Sequence, residues 1–330
     1  MAGATVFGAG AAGTAIAIHL ARTGSQVTLW GSRFDTRVLE AIEAERRHPA
    51  LSEPIPETVR VLGPDDLKQA AADVDVAVMG ANSAGARSLA TMVVPALDDV
   101  PIVVSLAKGL EPGTGLRTSE VYTETFPDSP VVALSGPSLA PEVAEGLLTA
   151  VAMASDDADA LATVAERFRA PSFLVDTTDD VVGVEVCGVA KNVAAIAAGV
   201  LEGSGQQREQ TMKNALSALF TRAAHEIAAL VEALGGRRET AYGLAGIGDL
   251  LVTSLGGRNR LYGEAIGLGA DPASTLADMT ERGLTVEGAD SARDVYELTR
   301  RTGVTMPIHE AVHRVVHEGA PTTTILEAIR

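Results

Sequence analysis

Residues 4–24 read ATVFGAGAAGTAIAIHLARTG: an apolar run of strand length closes on glycines, and a helix-spaced run follows it and stops at Gly24. Gly8, Gly10 and Gly13 form the spacing G-x-G-x-x-G between the two. Glycines in that place allow a tight turn and let a pyrophosphate approach the first N–H groups of the helix, which is how a dinucleotide is held. QVTLWGSR follows as a second strand, so the chain opens strand, glycine turn, helix, strand.

The runs VDVAVMG, PIVVSLAKG, PVVALSGP and TAVAMAS continue the pattern, with helix-compatible segments such as AGARSLATMVVPAL between them. Their alternation implies a parallel sheet covered on both faces. Near APSFLVDTTDDVVGVEV the texture changes, and from about Val181 helical periodicity takes over. ALSALFTRAAHEIAALVEALGG is an example, closed by Gly235 and Gly236. The expected architecture is a doubly wound α/β domain over residues 1–180 and an all-α domain over 181–330, the boundary being placed to within about four residues. A length of 330 residues suits two domains. VLEGSGQQREQTMK, residues 200–213, is the most polar connection and reads as a solvated loop.

Residues 2–20 carry no charged group apart from His19 and resemble a signal or membrane segment in composition. No basic segment leads them, and Gly3, Gly8, Gly10 and Gly13 interrupt the run, so neither targeting nor a membrane span is expected. Cys187 is the only cysteine, which excludes an intrachain disulfide framework and a multi-cysteine zinc site, leaves no metal expected, and fits a reducing cytoplasm. A formal net charge of −17 argues against nucleic acid or an anionic membrane as partner. For a phosphorylated substrate, a local basic pocket must then overcome the field of the whole molecule.

About 20 residues past the glycine fingerprint, a site that prefers NAD usually shows an acid for the ribose hydroxyls. Here the second strand ends in Trp30, Gly31, Ser32 and Arg33, with no acid until Asp35. Arg33 suits a 2′-phosphate, so NADPH is favoured over NADH as cofactor, with a solvated surface arginine as the competing reading. Lys108, in SLAKG, stands at the carboxyl end of a strand, the edge where open parallel sheets bind ligands. In LSGPSLAPEV, Gly136 and Pro137 form a turn, and Ser138 is placed to cap a helix with Pro141 and Glu142 in its first turn.

Only four of the 26 basic residues are lysines: Lys68, Lys108, Lys191 and Lys213. Lys191 lies in VEVCGVAKNVAAIAAG, where Val184, Cys187, Gly188 and Ala195 share its helix face and none can pair an ammonium. Desolvation by small apolar neighbours pushes a lysine towards the range useful for moving protons near neutral pH, unless a carboxylate arrives from elsewhere in the fold. The competing reading is a long side chain that snorkels to the surface. Asp249, in GLAGIGDLLVTS, is a candidate carboxylate, although by position it also suits an ordinary helix N-cap. Arg258 and Asn259 follow two glycines in GGRN, a composition suited to wrapping a small anion.

Taken in order, GAGAAGTA, LWGSR, SLAKG, LSGPSLAPEVAEG, VCGVAKNV, ALFTRAAHE, GIGDLLVTS, GGRNR and VEG resemble the NAD(P)-dependent glycerol-3-phosphate dehydrogenase family from residue 8 to about 288. The resemblance implies a Rossmann-type first domain, a helical second domain, a homodimer, and reversible reduction of dihydroxyacetone phosphate to sn-glycerol 3-phosphate for glycerolipid synthesis. It makes Lys191 the proton donor and acceptor, with Lys108 and Asp249 beside the reacting carbonyl. It gives substrate contacts to Asn192, Thr253, Arg258 and Asn259, with Gly136 and Ser138 near. Cofactor contacts fall to Gly8, Gly10, Ala11, Ala12, Gly13, Ser32, Arg33, Lys108, Ala140, Arg258 and Glu287. The chain departs from the family pattern at MGANSAG, around Asn82 and Ser83, at ALSEPIPETV, and at GSGQQREQTMKNA. Two other readings stand beside this one: a related two-domain reductase of another small 2-keto or 3-hydroxy acid, and a nucleotide sensor with idle catalytic residues.

Overall fold

The structure, a computed structural model, describes residues 3–98 and 100–330, so Ala2 at the head of the first apolar run lies outside the described residues. The chain divides between Val181 and Val182 into two compact units.

In the first unit, the described residues form one sheet of eight strands in the order β3-β2-β1-β4-β5-β6-β7-β8. The strands are β1 (Gly3–Phe7), β2 (Val27–Trp30), β3 (Val59–Leu62), β4 (Val74–Met79), β5 (Ile102–Ser105), β6 (Val131–Ser135), β7 (Thr149–Ala154) and β8 (Phe173–Thr178). Helices α1 (Ala11–Arg22), α2 (Thr36–Glu45), α3 (Leu67–Ala70), α4 (Ser83–Val93), α5 (Thr118–Thr125), α6 (Ala140–Glu145) and α7 (Ala158–Phe168) connect them. Alternate strand residues feed two cores. Val6, Leu29, Val76, Val78 and Val104 pack with α1, α6 and α7, whereas Phe7, Trp30, Ala77, Met79 and Val103 pack with α4 and α5. Burial on both faces is why the strands read as continuous apolar runs rather than alternating ones.

Three sequence expectations need correction here. The sheet is not wholly parallel, because β6 and β7 pair antiparallel, Leu134 facing Met153. Neither β3 nor β8 was expected from the sequence. β8 ends the sheet with polar Asp176, Thr177 and Thr178, and an edge strand needs no second apolar face. Ser138 does not cap α6, whose N-cap is Leu139 without a side-chain bond.

The second unit, among its described residues, is helical: α8 (Val181–Gln207), α9 (Lys213–Ala233), α10 (Asp249–Leu255), α11 (Arg258–Gly267), α12 (Pro272–Glu281), α13 (Glu287–Thr302), α14 (Pro307–His317) and α15 (Thr323–Ala328). α8 is long and apolar enough to cross a membrane, but it is almost entirely buried within the protein, which accounts for its apolar girth. It also runs through residues 200–207, where a solvated loop was expected. Close packing explains the difference. A Cβ on Gly199 or Gly203 would run into the α11 carbonyl oxygens of Arg260 and Glu264, and one on Gly263 or Gly267 into the α8 carbonyls of Ile196 and Val200. Glycines that look like loop residues thus let two helix backbones touch. Gly235 (φ 90°) and Gly236 do close α9, returning their N–H groups to Glu232 and Val231.

Candidate active site

Within the first unit, the fingerprint glycines have different reasons. Gly8 sits at φ 109°, a left-handed conformation that side chains disfavour. A Cβ on Gly13 would strike the Gly8 carbonyl oxygen, so that glycine holds α1 against β1. Gly10 has an ordinary φ of −64°, and a Cβ there would meet no atom within 4 Å. The fold does not require glycine at position 10, but a pyrophosphate approaching the α1 N-terminus does. Ala11 and the exposed Ala12 form the first turn of that helix, and Gly10 caps it without a side-chain bond. These residues fit the nicotinamide dinucleotide that the sequence implies.

At the end of β2, Ser32 is buried and the carboxylate of Asp35 turns back onto it, accepting from Ser32 N and Ser32 Oγ at 2.8 Å each. Asp35 therefore serves as a capping partner, and Arg33 beside it is exposed. Beyond β5, Lys108 donates from Nζ to the Gly136 carbonyl at 2.8 Å and to Ser138 Oγ at 3.3 Å. Gly136 needs its φ of 120°, and a Cβ on it would press on the β7 backbone at Val151, 3.0 Å away. Ser138 Oγ donates to the same Gly136 carbonyl at 3.1 Å, so its hydroxyl belongs to the Lys108 group rather than to a helix cap. Ala140 opens α6 just past this turn. The atypical stretch around Asn82 has a structural account as well: Asn82 caps α4 through the Gly85 N–H at 3.0 Å, and Ser83 fills the place against Gly109 where a side chain would not fit.

In the second unit the sequence anomaly resolves. Lys191 is only 6% exposed, so it does not snorkel. Its Nζ donates to Asp249 Oδ1 at 3.0 Å and to Thr253 Oγ1 at 2.8 Å, and Thr253 Oγ1 lies 3.3 Å from the same carboxylate oxygen. The missing counter-charge thus comes from a residue 58 positions away. Asp249 is no N-cap. It is the first residue of α10, behind Gly248 at the N-cap position, and follows a π-type turn over Leu244–Gly248. Gly246 is required in that turn, since a Cβ would collide with the Ala241 backbone. An ammonium between a carboxylate and a hydroxyl, withdrawn from water, is fixed in direction and equipped to give or take a proton.

Beside it, Asn192 Nδ2 donates to the Gly188 carbonyl at 3.3 Å, and Asn192 Oδ1 accepts from Asn259 Nδ2 at 2.9 Å. Asn259 Oδ1 in turn accepts from Gly288 N at 2.9 Å, which ties α8, α11 and the start of α13 together. Glu287 is the residue before that N–H and is half-buried. Gly288 was not singled out in the sequence, yet a Cβ on it would press on Asn192 O and Asn259 Oδ1. Arg258 opens α11 after Gly257 (φ 97°) and is exposed, an available guanidinium at a helix start. Among the described residues, no cluster of three or more His, Cys, Asp or Glu side chains is placed to hold a metal ion.

Residues 3–161 match the family described as NAD-dependent glycerol-3-phosphate dehydrogenase N-terminus, and residues 180–327 match its C-terminus counterpart. The chain belongs to the NAD-dependent glycerol-3-phosphate dehydrogenase family. It is 33% identical over 327 residues to an NADP(+)-dependent glycerol-3-phosphate dehydrogenase of Archaeoglobus fulgidus, covering 98% of this chain and 97% of that protein. A glycerol-3-phosphate dehydrogenase [NAD(P)+] of Koribacter versatilis is 41% identical, with 98% and 95% covered. The solved glycerol-3-phosphate dehydrogenase of Coxiella burnetii superimposes with a TM-score of 0.87 at 33% identity, covering 99% of this chain and 97% of the other. Membership makes the protein an NAD(P)-dependent oxidoreductase and favours that reading over the keto-acid reductase and the idle sensor.

Proposed function

We propose that this family member reduces dihydroxyacetone phosphate reversibly to sn-glycerol 3-phosphate, with Lys191 as the group that gives the carbonyl oxygen its proton. The observation that carries this reading is the buried contact of Lys191 with Asp249 and Thr253. Reduced nicotinamide, when bound, supplies the hydride that the reduction consumes. The ketone oxygen then gains negative charge and takes a proton from the Lys191 ammonium, while Asp249 and Thr253 hold the direction of the N–H bonds. In the reverse direction the neutral amine accepts the hydroxyl proton. Lys108 is assigned to stabilising charge on the oxygen, and Arg258, with Asn192 and Asn259, to the phosphate. Such local cations offset the formal charge of −17 where the substrate binds.

NADPH is the proposed cofactor of choice. Exposed Arg33 is available to a 2′-phosphate, and the one nearby acid, Asp35, is turned away onto Ser32. A homodimer in a reducing cytoplasm, feeding glycerolipid synthesis, completes the proposal; it is supported by family resemblance and by the lone buried Cys187. The test is purified protein with dihydroxyacetone phosphate and either NADPH or NADH. Oxidation of NADPH with this substrate, at a higher kcat/KM than NADH, is expected. Turnover of a keto acid with none of the triose phosphate contradicts the substrate, and faster use of NADH contradicts the cofactor.

A further inference from the structure

The second unit buries another acid–base pair that the reaction as proposed does not use. His309, in the first turn of α14, is 1% exposed, and Glu226 of α9 is 8% exposed. Glu226 accepts the Ile308 N–H on Oε1 at 3.0 Å and the His309 N–H on Oε2 at 3.3 Å, as a carboxylate does at a helix N-terminus. His309 Nδ1 lies 2.6 Å from Oε2, and Nε2 lies 3.2 Å from the carbonyl oxygen of Ala190.

Counting hydrogens fixes what the ring carries. A carbonyl oxygen cannot donate, so Nε2 must bear a hydrogen to bond Ala190. The short contact to Glu226 needs a second hydrogen, between Nδ1 and Oε2. Each ring nitrogen is thus tied to a different element, Nδ1 to Glu226 of α9 and Nε2 to Ala190 of α8. Buried ion pairs add little net stability compared with apolar packing of the same volume, so geometry is what such a pair contributes. The geometry here is specific, because the Ala190 carbonyl belongs to the peptide group whose nitrogen is that of Lys191.

We propose that His309 and Glu226 are positioning residues for Lys191. Glu226 sets the orientation of the ring, and the ring fixes the peptide through which α8 presents Lys191 to Asp249 and Thr253. The proposal rests on Lys191 being the proton donor.

Two variants of the full chain separate this role from simple filling of space. His309→Asn keeps a donor near Nδ1 for Glu226 and has nothing that reaches Ala190. His309→Gln keeps a donor near Nε2 and gives up the Nδ1 bond. The expected result is a loss in kcat of roughly ten- to a hundredfold for His309→Asn, with KM for NADPH unchanged, and a loss of at most about threefold for His309→Gln. Wild-type kcat in His309→Asn, or equal losses in both variants, overturns the proposal. Should His309→Asn fail to fold, the imidazole nitrogen NMR signals of the wild-type protein decide: a hydrogen on Nε2 of His309 supports the proposal, and a bare Nε2 refutes it. If Lys191→Ala retains turnover, the reading of Lys191 fails instead, and the Nε2 bond of His309 to Ala190 is unaffected by that outcome.

Discussion

Asp249 and Gly10 show how single residues divide between fold and chemistry. Asp249 is 2% exposed and aims its carboxylate at Lys191. Asp249→Asn keeps the shape and removes the charge, so the ammonium loses the counter-charge that holds it. We expect kcat to fall by about two orders of magnitude, with cofactor affinity retained, as stopped-flow binding and steady-state rates measure. Gly10 is the converse case, since an added Cβ meets no protein atom. Gly10→Ala should melt like the wild type and bind NADPH on the order of tenfold more weakly, because the methyl stands where the pyrophosphate must approach. A drop in melting temperature with normal binding would contradict that assignment.

At the scale of elements, the contact between α8 and α11 is what brings Asn259 to Asn192. A Cβ on Gly263 would meet the rigid α8 backbone at Ile196 and Val200. Gly263→Ala should therefore cost about 3 kcal/mol and raise KM for the substrate, because α11 carries both Arg258 and Asn259. Denaturant melts and steady-state kinetics check the two effects. Of the glycines responsible, Gly203 lay in the stretch read as a loop, since a residue with no side chain does not announce what it packs against. Strands β1, β4, β5, β6 and β7 were legible because both faces are buried. Edge strand β8 was not, its exposed polar end resembling a linker, and the antiparallel turn of β7 leaves no trace in its own apolar run. Lys191 stood out as a charge on an apolar face, whereas its pairing with Asp249 spans 58 residues, so the sequence offered that carboxylate only as a candidate beside an ordinary helix cap.

For the whole molecule, pH tests the burial pattern. His19, His48 and His317 are held below their usual 6.5, in each case chiefly by desolvation. A neutral buried histidine takes up its proton only on unfolding, so stability present above pH 6.5 is lost as pH falls below it. Asp294 works in the opposite sense. Desolvation first, and the neighbouring Asp290 second, push it from 3.8 up to about 6, so the folded chain gains stability as pH drops through that window. With the opposing carboxyl removed in Asp294→Asn, the three imidazoles act alone, and the melting temperature of that variant should fall between pH 7 and pH 5. Asp294→Asn should be more stable than the wild type at pH 7, by on the order of 1 kcal/mol after screening, and should lose that advantage by pH 4. A melting temperature of Asp294→Asn that rises on acidification would refute the assignment.

The central claim is that Lys191 moves the proton. It is tested most directly by the single-turnover rate of Lys191→Ala with saturating NADPH and dihydroxyacetone phosphate, alongside NADPH affinity measured on the same sample. The expected result is a rate lowered by about two to four orders of magnitude, with NADPH still bound at its wild-type affinity. A rate within a few-fold of wild type would contradict the account.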